Sequence, residues 1–309
     1  MESGDKQYVV DGVQSVMDTS VSVTVVHSNV DVAKEAIGAA FCEMRRVEGL
    51  MSVFKEGSEI FLLNKSGCIE NVSDETLYVI RKAEEYSILS GGAFAVTVLP
   101  LLNLWKKRLD AGTFPTKEEI EEVLPLADYR NVRVEGKRVR FLKANMGVTL
   151  GAIAKGYAVD RAVEVLRERG VEHALVNAGG DIKALADKSK NVPWRIGVRD
   201  PRKKDKFLTV VKLEGRAVAT SGGYERHIGG KMNVSHIINA RTGYPSQGTL
   251  SATVIASNAV DADALSTTLF LLGAEEGMRL IEKLDGVEAL LVTEDGQTVR
   301  SSGFYYYEC

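Results

Sequence analysis

Asp263 and Thr267 stand four residues apart in the run VDADALSTTLFLLG (260–273). On an α-helix that spacing sends both side chains out of one face, so a carboxylate and a hydroxyl oxygen can meet one ion. A hard cation such as Mg²⁺ suits such donors, since it retains waters and borrows phosphate oxygens from a substrate. Asp261 would point elsewhere. An acid near a helix N-terminus, followed by a threonine bonded back to its own helix, fits the same residues. Lys155 lies in a second cluster, GAIAKG (151–156), which runs directly into the amphipathic stretch YAVDRAVEVLRERG. Backbone N–H groups at such a helix start can receive a phosphate and Lys155 adds positive charge beside it; an ordinary surface lysine is the alternative. His236 is the third candidate. It opens HIIN, which reads as a short apolar strand ending in the turn RTGYP (241–245). An imidazole there serves either as a general base near neutral pH or as a hydrogen-bonded structural residue.

Other chemistries are poorly supported. GAIAKG is not GxxxxGK[ST], because Lys155 precedes the last glycine, and no GxGxxG opens a helix with an acid beyond it. The histidines His27, His173, His227 and His236 form neither HxxxH nor HExxH, which argues against a zinc enzyme. Cys42, Cys68 and Cys309 are odd in number and widely spaced, so neither a disulfide framework nor a thiolate zinc site is visible. Thirty-nine Lys and Arg against 42 Asp and Glu give a net charge of −3, which removes the bulk attraction that a nucleic-acid or anionic-membrane binder uses. The start, MESGDKQYVVDG, lacks a basic segment followed by an apolar one, and no window approaches about 18 consecutive apolar residues. As written the chain reads as cytoplasmic, without an export signal or transmembrane segment; a trimmed mature form of an exported, membrane-anchored protein would read the same way.

The elements that must position these residues follow from periodicity. TSVSVTVV (19–26) alternates as a half-buried strand, and Val32, Ala36, Ala39, Ala40, Met44 and Val47 give 31–48 a helical period, with Asp31 able to cap its first turn. A helix is expected over 73–89 behind Ser73, and another from Thr116, which has capping-box spacing to Glu119 and an end at Pro125. NVRVEGKRVRFL (131–142) reads as a hairpin about Glu135-Gly136. Beyond residue 150 the pattern gives a helix at 153–169 and strands at 174–178, 194–199, 208–219, 235–239 and 251–256. Helices at 259–272 and 275–284 and strands at 289–293 and 298–307 follow. This order predicts an α+β fold with mixed, largely antiparallel sheets and packed helices, as a single two-lobed unit over 1–309. Of the 29 glycines, about 9% against a usual ~7%, nine fall in GGAFAVT, GAIAKG, NAGGD, SGG and RTGYP at element junctions, where backbone turns sharply or approaches a ligand.

In order and spacing, MDTSVSVTV (17–25), SVFKEGSEIFLLN (52–64), SGGAFAVTVLPLLNLW (90–105), LGAIAKGYAVDRA (150–162), VNAGGDI (176–182), ATSGGYERH (219–227), HIINARTGYP (236–245) and DADALSTTLFLLG (261–273) resemble the ApbE family of FAD:protein FMN transferases. The resemblance implies an enzyme that takes FAD and Mg²⁺, breaks the pyrophosphate and attaches FMN through a phosphoester to a Thr or Ser hydroxyl of a target protein, releasing AMP. The expected target is a redox-pump or flavin-reductase subunit. By motif, Asp263 and Thr267 would be metal ligands, with the Ala152 backbone carbonyl as a third. Lys155 would contact FAD, and Met17, Phe54, Ala93, Phe94, Ala95, Thr149 and Ile237 match positions lining the FAD site. His236 would activate the acceptor hydroxyl.

Three departures bear on function. The family usually reads GAFD where this chain has Gly92-Ala93-Phe94-Ala95, and DLGAIAKG where it has Thr149-Leu150-Gly151, so two acids are missing. HIIDPRTG appears as HIINARTG. Non-catalytic FAD binding is the alternative that the missing acids raise; FAD pyrophosphatase activity, giving FMN and AMP with water in place of the acceptor hydroxyl at the same metal site, is the other alternative to transfer.

Overall fold

The computed structural model describes residues 6–189, 192–203, 205–223, 227–228 and 234–309. Strands β1 (Tyr8–Val16) and β2 (Thr19–His27) form a hairpin whose two turn residues, Met17 and Asp18, both have φ 55. Positive φ at both positions is the turn geometry that matches strand twist, here adopted without glycine. Val21, Val23 and Val25 bury one face of β2, as the alternation requires. Helix α1 (Val30–Met51) follows, and its cap is Asn29, which accepts from the Asp31 and Val32 N–H groups. Asp31 lies inside the first turn, so the capping role expected for it falls two residues earlier. Helices α2 (Glu59–Ser66), α3 (Asp74–Leu89), α4 (Leu99–Asp110) and α5 (Lys117–Val123) come next, with β3 (Cys68–Ile69) between α2 and α3. Ser73 caps α3, and Thr116 with Glu119 forms the predicted capping box at α5.

Strands β4 (Val132–Glu135) and β5 (Arg138–Phe141) make the predicted hairpin, with β3 on its edge. Helix α6 (Ala154–Glu168) leads into β6 (His173–Ala178) and β7 (Asp181–Leu185). Then come β8 (Trp194–Arg199), β9 (Phe207–Leu213), β10 (Ala217–Gly222), the short β11 (His227–Ile228) and β12 (Val234–Ser235), β13 (Thr249–Ala256), α7 (Ala259–Ile281), β14 (Glu288–Thr293) and β15 (Thr298–Arg300). The principal sheet is eight-stranded and antiparallel throughout, in the order β1-β2-β6-β7-β10-β13-β14-β15. Its one face buries α1, α6 and α7 around Val23, Phe41, Leu166 and Phe270. Its other face meets the β8–β9 ribbon through Trp194, Val211, Ile255 and Phe304. A third apolar cluster joins α4 and α5 through Leu101, Trp105 and Ile120 to Ile238 and Ala240.

The α+β class with largely antiparallel sheets is as expected, and three strand assignments change. The segment 208–219 is two strands in different sheets, because Gly215 (φ 64) reverses the chain between β9 and β10. The strand expected at 235–239 ends at Ser235; His236 is a bend, and only an Ile238–Pro245 bridge follows. The strand expected at 298–307 stops at Arg300 and turns into a 3₁₀ helix at Phe304–Tyr307. The pair of helices at 259–272 and 275–284 appears as α7, interrupted where Gly273 (φ 74, ψ −172) leaves helical geometry. Sequence periodicity passed over β1, α2 and α4. Among the described residues no helix is long and apolar enough to cross a membrane.

Candidate functional site

The site is assembled where α6 crosses α7. Gly156 makes that crossing possible, because a Cβ on it would lie 2.2 Å from the Ala259 carbonyl oxygen and 2.8 Å from the Asp263 Cβ. With no side chain there, the Gly156 N–H donates to Asp263 Oδ2 at 2.9 Å, so one of the unpaired N–H groups of the α6 start binds a carboxylate from α7. The start of α7 is clamped in turn by Asp160 of α6, whose oxygens accept from the Ala259 and Val260 N–H groups, both at 2.8 Å. Asp261 does point elsewhere: it accepts from the Tyr86 hydroxyl and lies 3.2 Å from Lys82 Nζ.

Lys155 reaches between two acids. Its Nζ donates to Asp181 Oδ2, from the start of β7, and lies 3.8 Å from Asp263 Oδ1. Asp181 and Asp263 are each 3% exposed. Burial, and then the Asp181 charge, push the Asp263 carboxyl well above the usual carboxylate range, against the opposing pull of Lys155 and the Gly156 N–H. Two buried carboxylates facing one ammonium leave surplus negative charge, which is costly unless a proton or a cation balances it.

Thr267 sits one turn beyond Asp263 and is also buried. Its Oγ1 lies 3.0 Å from Ser221 Oγ at the end of β10, which is itself 2.8 Å from Ser266 Oγ. The bond back to the Asp263 carbonyl is made by Ser266 at 2.9 Å. Ala152 is half-buried in the turn that leads into α6. Carboxylate, hydroxyl and peptide carbonyl are hard oxygen donors, so their chemistry fits a hard divalent cation. Among the described residues no group of three His, Cys, Asp or Glu could hold a metal ion, so such a cation would depend on the Ala152 carbonyl, water and phosphate for its remaining bonds.

Several of the residues matched to an FAD site are tied by backbone bonds to the segments around this corner. Met17 is at the β1–β2 tip, and the neighbouring Thr19 packs so tightly on Gly179 that a Cβ there would lie 2.2 Å from Thr19 Oγ1. Gly179-Gly180 is the turn that delivers Asp181. Thr149 donates its N–H to the Val96 carbonyl at 2.8 Å, which sets it beside Ala95, so the two positions lacking the expected acids adjoin. Ala93 and Phe94 are buried, and the Ala93 carbonyl accepts from the Ala240 N–H at 3.0 Å, tying this loop to HIINARTGYP. Within that segment Ile237 is buried and His236 half-buried; Ser246 then donates its hydroxyl to the Phe270 carbonyl of α7 at 3.1 Å. Phe54 is a 78% exposed ring on the loop before α2. Asn64 of α2 bonds both the carbonyl and the N–H of Val148, next to Thr149. Part of ATSGGYERH, residues 224–226, lies outside the described residues.

Residue-by-residue reading assigned no part to Asp181, Gly156 or Ser221. Each was inside a quoted motif, but a lone acid after two glycines, a glycine in a helix and a serine in a strand carry no spacing signal of their own.

Fold and site together define an α+β protein in which a buried, oxygen-rich acidic cluster adjoins the start of helix α6. The chain belongs to the ApbE family, whose sequence profile matches residues 17–291. A Treponema pallidum protein named FAD:protein FMN transferase is 31% identical over 288 residues, which cover 87% of this chain and 80% of that one. The ApbE protein of Thermotoga maritima has a crystal structure that superposes with a TM-score of 0.88 at 34% identity, covering 98% of this chain and all of the other. The apo form of the Pseudomonas stutzeri flavinyl transferase ApbE gives 0.84 at 27% identity, covering 98% and 99%.

Proposed function

We propose that this chain is an FAD:protein FMN transferase that uses Mg²⁺, joins FMN by a phosphoester to a Thr or Ser hydroxyl of a target protein and releases AMP. The observation that carries the reading is the pair of buried carboxylates, Asp181 and Asp263, facing the single ammonium of Lys155 at the start of α6, in a chain whose relatives bear that enzyme name. Asp263, Thr267 and the Ala152 carbonyl would hold the cation. When bound, such an ion neutralises charge that develops across a pyrophosphate. Lys155, at the start of α6, orients the phosphate oxygens, and such positioning with electrostatics is most of what phosphoryl-type transfer needs. His236 accepts the proton of the acceptor hydroxyl; the hydroxyl oxygen bonds to the phosphorus of the FMN half as the phosphorus–oxygen bond to AMP breaks. Met17, Phe54, the Ala93–Ala95 loop, Thr149 and Ile237 line the flavin nucleotide. Met17, Ala93, Phe94, Ala152 and Ile237 pack on the same core cluster as α6 and α7, which supports a single unit over 1–309.

The neutral pair Ala95 and Thr149 favours simple FAD binding as a second reading, and water in place of the acceptor hydroxyl at the same site would give FAD pyrophosphatase activity. Incubation with FAD, Mg²⁺ and an acceptor peptide bearing Thr, followed by mass spectrometry, separates them. An FMN adduct supports transfer, free FMN with AMP means hydrolysis, and unchanged FAD means binding alone. Asp263→Ala should lower turnover by about 10²–10³-fold. Undiminished turnover would overturn the metal assignment. His236→Ala should reduce transfer far more than FAD affinity; equal loss of both would make His236 a binding residue.

A further inference from the structure

The hydroxyl contacts beside Thr267 can be given a direction. Each hydroxyl has one proton to donate. Ser266 donates its proton to the Asp263 backbone carbonyl at 2.9 Å, an acceptor only. The 2.8 Å contact between Ser266 and Ser221 then requires Ser221 to donate. With the Ser221 proton committed, its 3.0 Å contact to Thr267 requires Thr267 to donate. The Thr267 proton therefore points inward, toward β10, and the lone pairs of its oxygen are left for another partner. A cation ligand needs that orientation, since a hydroxyl turned the other way would present its proton to the ion.

We propose that Ser221 and Ser266 are positioning residues, forming a one-way hydroxyl relay from Thr267 through Ser221 and Ser266 to the Asp263 carbonyl that holds the Thr267 oxygen ready for a divalent cation. The assignment rests on the metal reading given above. It also accounts for the absence of a Thr267 bond to its own helix: Ser266 occupies the Asp263 carbonyl. The relay links sheet and helix, because Ser221 belongs to β10 while its partners belong to α7.

The test is Mn²⁺ affinity, read by electron paramagnetic resonance on the full chain with and without ADP, alongside circular dichroism to establish folding. Thr267→Val should weaken Mn²⁺ binding, and Ser221→Ala should weaken it by about tenfold, the usual effect of removing a group that orients a metal ligand. Ser266→Ala should produce a smaller loss, and it tests the same relay if Ser221→Ala fails to fold. In a Thr267→Val background Ser221→Ala should have no further effect, whereas in Thr267→Ser, which keeps the hydroxyl, it should keep its effect. If Thr267→Val weakens binding while Ser221→Ala and Ser266→Ala leave it unchanged, the relay is wrong and the metal site stands. Equal losses from Ser221→Ala with and without the Thr267 hydroxyl also overturn it. If wild type and Thr267→Val bind Mn²⁺ alike, the metal reading falls and the relay with it.

Discussion

At the scale of single residues, Asp263 is held at a cost in stability. Its carboxylate is almost fully buried, shares one lysine with Asp181 and receives one backbone N–H. A carboxyl whose folded-state pKa lies above its unfolded value binds more protons folded than unfolded, so it disfavours the folded state increasingly as pH rises above the usual carboxylate range. Asp263→Asn keeps an acceptor for the Gly156 N–H and leaves Lys155 and Asp181 as a balanced pair. The metal-free variant should be more stable than wild type by about 1–2 kcal/mol at pH 8, with a smaller gain at pH 5. Thermal unfolding in EDTA at the two pH values checks both sign and trend, and the same variant should lose transfer activity. A fall in stability at pH 8 would mean that the cluster is balanced without a cation.

At the scale of elements, the α6–α7 crossing decides whether the cluster exists. Gly156→Ala drives a methyl group into the Ala259 carbonyl and the Asp263 Cβ, and backbone cannot yield as a flexible side chain would. The helices must separate, at a cost of about 1–3 kcal/mol, and the Asp263 carboxylate moves off its N–H donor. Activity should fall much further than stability, measured by denaturant unfolding beside FMN transfer. Asp160 acts on the same pair of helices from the other side. Asp160→Ala removes an acceptor from two N–H groups at the start of α7 and leaves Lys183, 3.6 Å away, without that partner; a loss of about 1–2 kcal/mol is expected in the same unfolding experiment.

At the scale of the whole molecule, the His236 segment bridges two cores, since Ile237 packs on the main one and Ile238 and Ala240 on the cluster of α4 and α5. Trp105 of α4 donates its indole N–H to the Gly243 carbonyl at 2.8 Å, and its ring meets Tyr244 edge-on. Trp105→Phe keeps most of the apolar packing but strands that carbonyl, a local cost of about 1–3 kcal/mol. Amide hydrogen exchange across 237–246 should accelerate while the sheet amides stay protected, and transfer should slow. Unchanged exchange in 237–246 would show that the segment is held by its bonds to Ala93 and Phe270 alone.

Local patterns fixed many elements because their physics is local. The alternating valines of β2, the Thr116–Glu119 capping box and the Asp263–Thr267 spacing each act within a few residues, so the sequence by itself determined them, along with the near-neutral charge and the α+β class. Family motifs extended this to the positions expected around a flavin nucleotide. β1 was illegible because its own alternation is weak and its pairing depends on β2; the segment 208–219 split because its two halves join different sheets. The acidic cluster was decided by tertiary structure alone. Lys155, Asp181 and Asp263 are separated by 26 to 108 positions, and only the contact at Gly156 and the turn at Gly179-Gly180 bring them together. The surplus buried charge, and the direction of the hydroxyl relay beside it, exist only once those side chains have lost water and found one another.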